Sequence, residues 1–179
     1  MEKRLKKIKG FTLVEILIVL TILGIFSSLA APSISSMIRS NRIAGKANII
    51  SSSIKVAKSE SIKQGKIFTL CPTINFSTCA DSNEWNTGWI LFSDDDNNKE
   101  PNNPTEIILI QNSLGLEDTI TSNKKTVSIN HEGFVFDLPA IGQTIFTIKS
   151  SSSDNSTQRC VLINQSGSAL IKEKGSDCA

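Results

Sequence analysis

One stretch constrains this chain more than any other: Lys9-Gly10-Phe11-Thr12-Leu13-Val14-Glu15 and the apolar run behind it. A basic leader (Lys3, Arg4, Lys6, Lys7, Lys9) ends at Gly10. From Phe11 to Ile38 the only charged residue is Glu15, and Ile16 to Phe26 is apolar apart from Thr21 and Gly24. The run fades through Ser27, Ser28, Leu29, Ala30 and Ala31 to Pro32. A helix from Phe11 to Ala31 holds 21 residues. At ~1.5 Å per residue that is about 30 Å, the thickness of a bilayer core. The pattern predicts a membrane-spanning helix over 11–31.

Three readings compete for this stretch. A secretory signal peptide has the same basic start and apolar centre, and Ser28-Leu29-Ala30 has the small residues of a cleavage site. A plain membrane anchor is the second. The third accounts for the details. Gly10-Phe11-Thr12-Leu13-Val14-Glu15 resembles the processing and methylation site of type IV prepilins and type II secretion pseudopilins. The resemblance implies a membrane prepilin peptidase that cuts between Gly10 and Phe11, leaving residues 1–10 as a cleaved leader, and methylates the new amino-terminal Phe11. Glu15 favours this reading. A carboxylate within a membrane helix costs roughly 2.5–3.5 kcal/mol at the centre and less toward the end, so its presence calls for a partner charge. In a pilin filament that partner is the free amine of a phenylalanine, which makes Glu15 the assembly charge.

Charge sets orientation. Lys and Arg ahead of an anchor stay cytoplasmic, so everything after Pro32 is expected outside the cytoplasm, in the periplasm of a single-pass inner-membrane protein. The formal charge of +2 misleads: without residues 1–10 the chain has 14 basic and 16 acidic residues. From Ile67 onward seven Lys/Arg face fourteen Asp/Glu, a net of −7. An acidic body disfavours a broad nucleic-acid footprint.

After Pro32 the helix is expected to continue, kinked, because Ile43, Ala47, Ile50, Ile54 and Ala57 step by 4, 3, 4 and 3 along one face. Gly65 is the expected stop, so 32–66 reads as an amphipathic continuation. From Ile67 to Ala179 short runs of β-branched and aromatic residues are separated by Gly, Pro, Asn, Asp and Ser clusters. Strands are expected over 67–71, 89–92, 107–110, 126–129, 134–136, 144–148, 160–163 and 169–171, with a Ser-rich loop over 150–158. The fold class is therefore α+β: a long N-terminal helix whose second half packs on antiparallel sheets.

Within the body, Cys71-Pro72, Cys79, Trp85 and Gly88-Trp89-Ile90-Leu91-Phe92-Ser93-Asp94 are similar to the GspH/FimT-type minor pseudopilins. Cys160-Val161-Leu162-Ile163-Asn164, Gly167 and the late Cys178 fit the carboxyl-terminal end of that family. The resemblance covers nearly the whole chain. It implies a structural subunit of a type II secretion pseudopilus or type IV pilus, with no cofactor. The implied partners are other minor and major pilins, an inner-membrane assembly platform and membrane lipid.

The four cysteines, Cys71, Cys79, Cys160 and Cys178, lie in a compartment that permits disulfides. Three pairings are possible; the expected one is local, Cys71–Cys79 with Cys160–Cys178. Zinc is disfavoured, since neither close pair has knuckle spacing and the only histidine is His131. Asp94, Asp96 and Asn98 have the alternate spacing of a calcium loop's first ligands. Lys99 stands at the glycine position and Thr105 at the bidentate glutamate, so a solvated loop is the stronger reading. His131 reads as part of a hairpin turn, and no nucleophile motif surrounds it. Trp85 and Trp89 read as core rather than as a ligand platform. Nothing in the body argues for an enzyme; a secreted hydrolase behind a cleaved signal peptide is the weakest alternative. A DNA-binding minor pilin is the other. The resemblance would demand a Gly-Arg-x-Arg stretch near the carboxyl terminus, and Gly167-Ser168-Ala169-Leu170 lacks both arginines. Arg159, Lys172 and Lys174 remain nearby with Glu173 and Asp177 among them, and Lys124, Lys125 and Lys149 offer a residual basic patch.

Overall fold

In the computed structural model, residues 10–115, 117–138, 142–151 and 157–173 are described, without the side chains of 28–32. Helix α1 runs Leu13–Gln64 and is unbroken through Pro32. The chain forms two compact units, one ending at Ile38 and one beginning at Arg39.

The first unit is the apolar end of α1. Its side chains from 10 to 27 are all exposed, as are those of 33–38 except the half-buried Ser36. Among the described residues no helix is long and apolar enough to cross a membrane. The end of the expected span, residues 28–32, lies outside the described side chains.

The second unit holds the rest of α1 and two antiparallel sheets. Among the described residues the strands are β1 Phe68–Pro72, β2 Gly88–Ser93, β3 Ile107–Asn112, β4 Asp118–Ser122, β5 Val127–Ile129, β6 Val135–Phe136, β7 Thr144–Ser150, β8 Arg159–Ile163 and β9 Ala169–Glu173. They form one sheet in the order β3-β2-β1-β5-β6 and another in the order β4-β7-β8-β9. The architecture is the expected α+β one.

The helix stripe explains why the sheets need the helix. Ile43, Ala47, Ile50, Ile54 and Ala57 are all at most 2% exposed, in one core with Phe68, Leu70, Trp89, Ile129 and Phe146. Each fully buried Ile contributes roughly 1.5–3 kcal/mol by removal from water. Both tryptophans are core, as expected. Trp89 donates its indole N–H to Ser53 Oγ on α1 at 3.0 Å, and Trp85 meets Phe146 edge-on with ring centroids 4.8 Å apart.

The helix ends where Gly65 takes a left-handed φ of 66°. The Lys66 N–H then reaches back to the Ser61 carbonyl at 3.2 Å, satisfying one of the last helical carbonyls. Gly88 is required for a different reason. A Cβ there meets the Gln111 carbonyl oxygen at 2.5 Å, so only glycine lets β2 enter beside β3.

Seven expected strands fall within a residue or two of β1, β2, β3, β5, β6, β8 and β9, and β7 runs on to Ser150. The exception is β4, which was not expected at all. Its sequence Asp118-Thr119-Ile120-Thr121-Ser122 offers one apolar residue, yet alternate side chains are buried. Most of the expected 150–158 loop lies outside the described residues.

Candidate processing and assembly site

Gly10 and Phe11 precede the helix and are exposed, Phe11 at 85%. Thr12 starts α1 in a reciprocal capping box. The Thr12 N–H and hydroxyl both donate to Glu15 Oε2, at 2.8 and 2.9 Å, while the Glu15 N–H donates to Thr12 Oγ1 at 3.2 Å. The first-turn carboxylate also sits well against the helix dipole. Glu15 thus has a local role beyond any partner charge, one the sequence reading missed although Thr-x-x-Glu carries it. A single oxygen, Oε2, takes both Thr12 bonds.

Among the described residues of the body, two carboxylates are buried. Asp118 is fully buried and accepts from Arg42 Nη2 at 2.9 Å, with Lys46 Nζ at 2.8 Å on its other oxygen. Burial alone pushes the Asp118 carboxyl up, but the hydrogen bonds from Lys46 and Arg42 outweigh it and hold the group below the usual carboxylate range. Asp94 is the other. It accepts from Thr69 Oγ1 at 2.6 Å, and that hydroxyl lies 2.8 Å from Ser128 Oγ on the neighbouring strand. Burial pushes the Asp94 carboxyl up, against hydrogen bonds from Thr69 and the Lys99 N–H.

This accounts for the acidic loop in which Asp94, Asp96 and Asn98 have calcium-like spacing. Asp94 turns into the body and anchors the loop's start. Asp96 accepts from the amides of Asn98 and Asn102 at 2.9 and 3.2 Å. Among the described residues no group of three His, Cys, Asp or Glu is arranged to hold a metal ion. His131 sits exposed in a turn whose N–H groups, from Glu132 and Phe134, donate to Asn130 Oδ1.

Cys71 and Cys79 are bonded, the expected local pair, with Cα atoms 5.5 Å apart. Cys160 is also disulfide-bonded; its expected partner Cys178 lies outside the described residues. The Cys71–Cys79 link ties the end of β1 to the loop before Trp85. Closing so short a loop is worth about 2–3 kcal/mol through the unfolded chain. The Cys71→Ala/Cys79→Ala variant is expected to lose that much, measured by denaturant unfolding.

Lys124 and Lys125 do not form an open basic patch with Lys149. Lys124 pairs with Asp137, which also takes Lys99, and Lys125 pairs with Asp81. Arg159 pairs with Glu173.

A helix with an apolar, exposed head behind a Gly-Phe-Thr junction, and a second half buried on antiparallel sheets, defines a pilin-like subunit. Residues 46–167 match the family described as type II transport protein GspH, and residues 5–31 match the prokaryotic N-terminal methylation motif. The chain belongs to this GspH family of minor pilins and pseudopilins, which are structural subunits and not enzymes. Among solved structures it is similar to the type IV minor pilin FimU of Pseudomonas aeruginosa, with TM-score 0.56 and 14% identity over 78% of this chain and 96% of that one. It is also similar to EpsH, the minor pseudopilin of the Vibrio cholerae type 2 secretion system, with TM-score 0.52 and 10% identity over 75% and 99%. At those identities the likeness shows the shared fold. No curated protein matches the chain.

Proposed function

We propose that this chain is an initiation or tip subunit of a type II secretion pseudopilus or type IV pilus. It is cut between Gly10 and Phe11 by a prepilin peptidase and methylated on Phe11. Residues 11–31 hold it in the inner membrane with the body in the periplasm, until an assembly platform moves it into a filament beside sister pilins. The single observation that carries this is the junction itself: an exposed Gly10-Phe11 directly ahead of a capped helix whose only early charge is Glu15, within a matched methylation motif. Exposed apolar side chains such as Leu13, Leu17, Leu20 and Phe26 suit lipid first and packed helices afterwards. Mass spectrometry of the mature protein is expected to find N-methylphenylalanine from Phe11 at its start. A mature terminus at Ala31 would instead establish a cleaved signal peptide.

DNA uptake is disfavoured. Phosphate neutralisation supplies most DNA affinity, and Lys99, Lys124, Lys125 and Arg159 are each spent on a carboxylate. In a gel-shift titration at physiological salt the protein is expected to bind no tighter than the non-specific range, Kd ~10⁻⁴–10⁻⁶ M. Submicromolar binding that weakens in Lys172→Ala or Lys174→Ala would reverse this.

A further inference from the structure

We propose that Arg39 binds the phosphate of a phospholipid in the outer leaflet of the inner membrane. The inference rests on the membrane anchor proposed above and adds a lipid site to it. Three arginines lie among the described residues. Arg42 is held by Glu117 and Asp118, and Arg159 by Glu173 and Ser40. Arg39 has no hydrogen bond and no ion pair with any described residue. Its Nε is nonetheless enclosed and without a partner. Its Nη1 and Nη2 are neither enclosed nor bonded. One side of the guanidinium is thus covered while its outer fork is open.

Such a group is an unfinished site. An enclosed donor with no acceptor carries its desolvation cost uncompensated, and folded proteins leave few of them. The carboxylates at the start of β4 do not serve Arg39. Glu117 is taken by Arg42, and Asp118 by Arg42 and Lys46. The missing acceptor is therefore an anion from outside the body. Its shape follows from the donor: the planar fork of arginine matches two oxygens of one phosphate, a match that the point charge of lysine lacks.

Position in the chain selects the source of that phosphate. From Ile16 to Ile38 no residue is charged, and Arg39 is the first charge beyond the apolar segment. It comes eight residues after Ala31 on the same unbroken helix, ~12 Å at the helical rise. Headgroups widen a bilayer from about 30 Å of hydrocarbon to about 40–45 Å, so each headgroup layer reaches roughly 5–7 Å beyond the core. Helical side chains lean toward the amino terminus, which here is the membrane end of α1. A long arginine extends along apolar surface and keeps its charged head at the interface, so the open fork comes down to phosphate height. Ile34, Met37 and Ile38, just ahead of it, are exposed and apolar, as a segment passing from hydrocarbon into headgroups requires. Acyl chains deliver the lipid phosphate to this height, which free phosphate lacks.

The test uses the full chain in maltoside micelles, with lipid retention read by native mass spectrometry. The parent is expected to retain phosphatidylglycerol at several-fold higher occupancy than diacylglycerol of the same acyl chains, which lacks the phosphate. Arg39→Gln is expected to lose most of that difference. Lys55→Gln, which removes an exposed cation further along α1, is expected to keep it. Inorganic phosphate is expected to leave the lipid in place. Arg39→Gln breaks no hydrogen bond or ion pair of the described body, so in lipid-free micelles it is expected to unfold at the parent temperature. Equal retention by parent and Arg39→Gln, or of the two lipids, overturns the proposal. So does displacement by inorganic phosphate, which marks a free-anion site, and so does a lower unfolding temperature without lipid, which marks a protein partner. Carbonate extraction of membranes reads the anchor separately: a parent that stays in the membrane without Arg39-dependent retention refutes the lipid site alone, and a parent that washes out refutes both.

Discussion

Replacing Asp118 with alanine is expected to destabilise the body by ~3–5 kcal/mol, because it leaves a buried lysine without its counter-charge. The side chain of Lys46 is 7% exposed and that of Asp118 fully buried, so water cannot replace the lost carboxylate. The pair lies where α1 crosses the start of β4, and Arg42 closes it from the rim. Thermal unfolding followed by the near-ultraviolet signal of Trp85 and Trp89 measures the loss. The double variant Lys46→Met/Asp118→Leu is expected to recover most of it, since similar-sized apolar side chains remove both desolvation costs. The pH dependence follows with a definite sign. The folded Asp118 carboxyl titrates below its unfolded value. Its contribution is therefore complete above the unfolded carboxylate pKa, and is lost as pH falls through the lower folded one. The protein is expected to lose stability below roughly pH 4, and Asp118→Asn is expected to flatten that limb while lowering stability at neutral pH. An acid limb as steep in Asp118→Asn as in the parent would assign the effect to other carboxylates.

The second large effect is expected from Glu15→Gln, and it falls on assembly rather than folding. Glutamine at this position still accepts from the Thr12 N–H and hydroxyl, so the capping box survives. Membrane insertion is expected to be normal or easier, because the uncharged amide costs less in lipid than the carboxylate. What is lost is the charge proposed above to meet a phenylalanine amine in a filament core, so incorporation into filaments is expected to fall sharply. Glu15→Ala removes charge and cap together, and is expected to add fraying of the first turn to the same assembly defect. The measurement is the fraction of subunit recovered in sheared filaments against the membrane pool. Incorporation of Glu15→Gln at the parent level would mean that capping is the residue's whole task in this subunit.

Much of the architecture is written locally. The 3.6-residue period of Ile43, Ala47, Ile50, Ile54 and Ala57 marks a buried helical face whatever covers it, and all five residues are core. Runs such as Trp89-Ile90-Leu91-Phe92 and Cys160-Val161-Leu162-Ile163 are strands on either side of any sheet. Gly65 ends the helix through its own backbone freedom. The methylation motif over 5–31 and the Cys71–Cys79 pair were equally legible, because each depends on residues close together in the chain.

Strand β4 was not legible. Asp118-Thr119-Ile120-Thr121-Ser122 has the composition of a loop, and a buried aspartate contradicts every local expectation for a strand. What makes it a strand is pairing with β7 and the two cations that α1 brings from 76 and 72 positions away. Asp94 is the same case: read along the chain it belonged to an acidic loop, and only the pairing of β1 with β5 sets Thr69 and Ser128 beside it. The fate of Lys124 and Lys125 likewise depended on where Asp137 and Asp81 came to lie. The helix, its buried face, most strands and the methylation motif were readable from the chain alone, because periodicity, turn chemistry and short motifs act between near neighbours. Which charges are buried and which are neutralised was settled by the tertiary structure, because burial and ion pairing join residues that nothing in the local sequence relates.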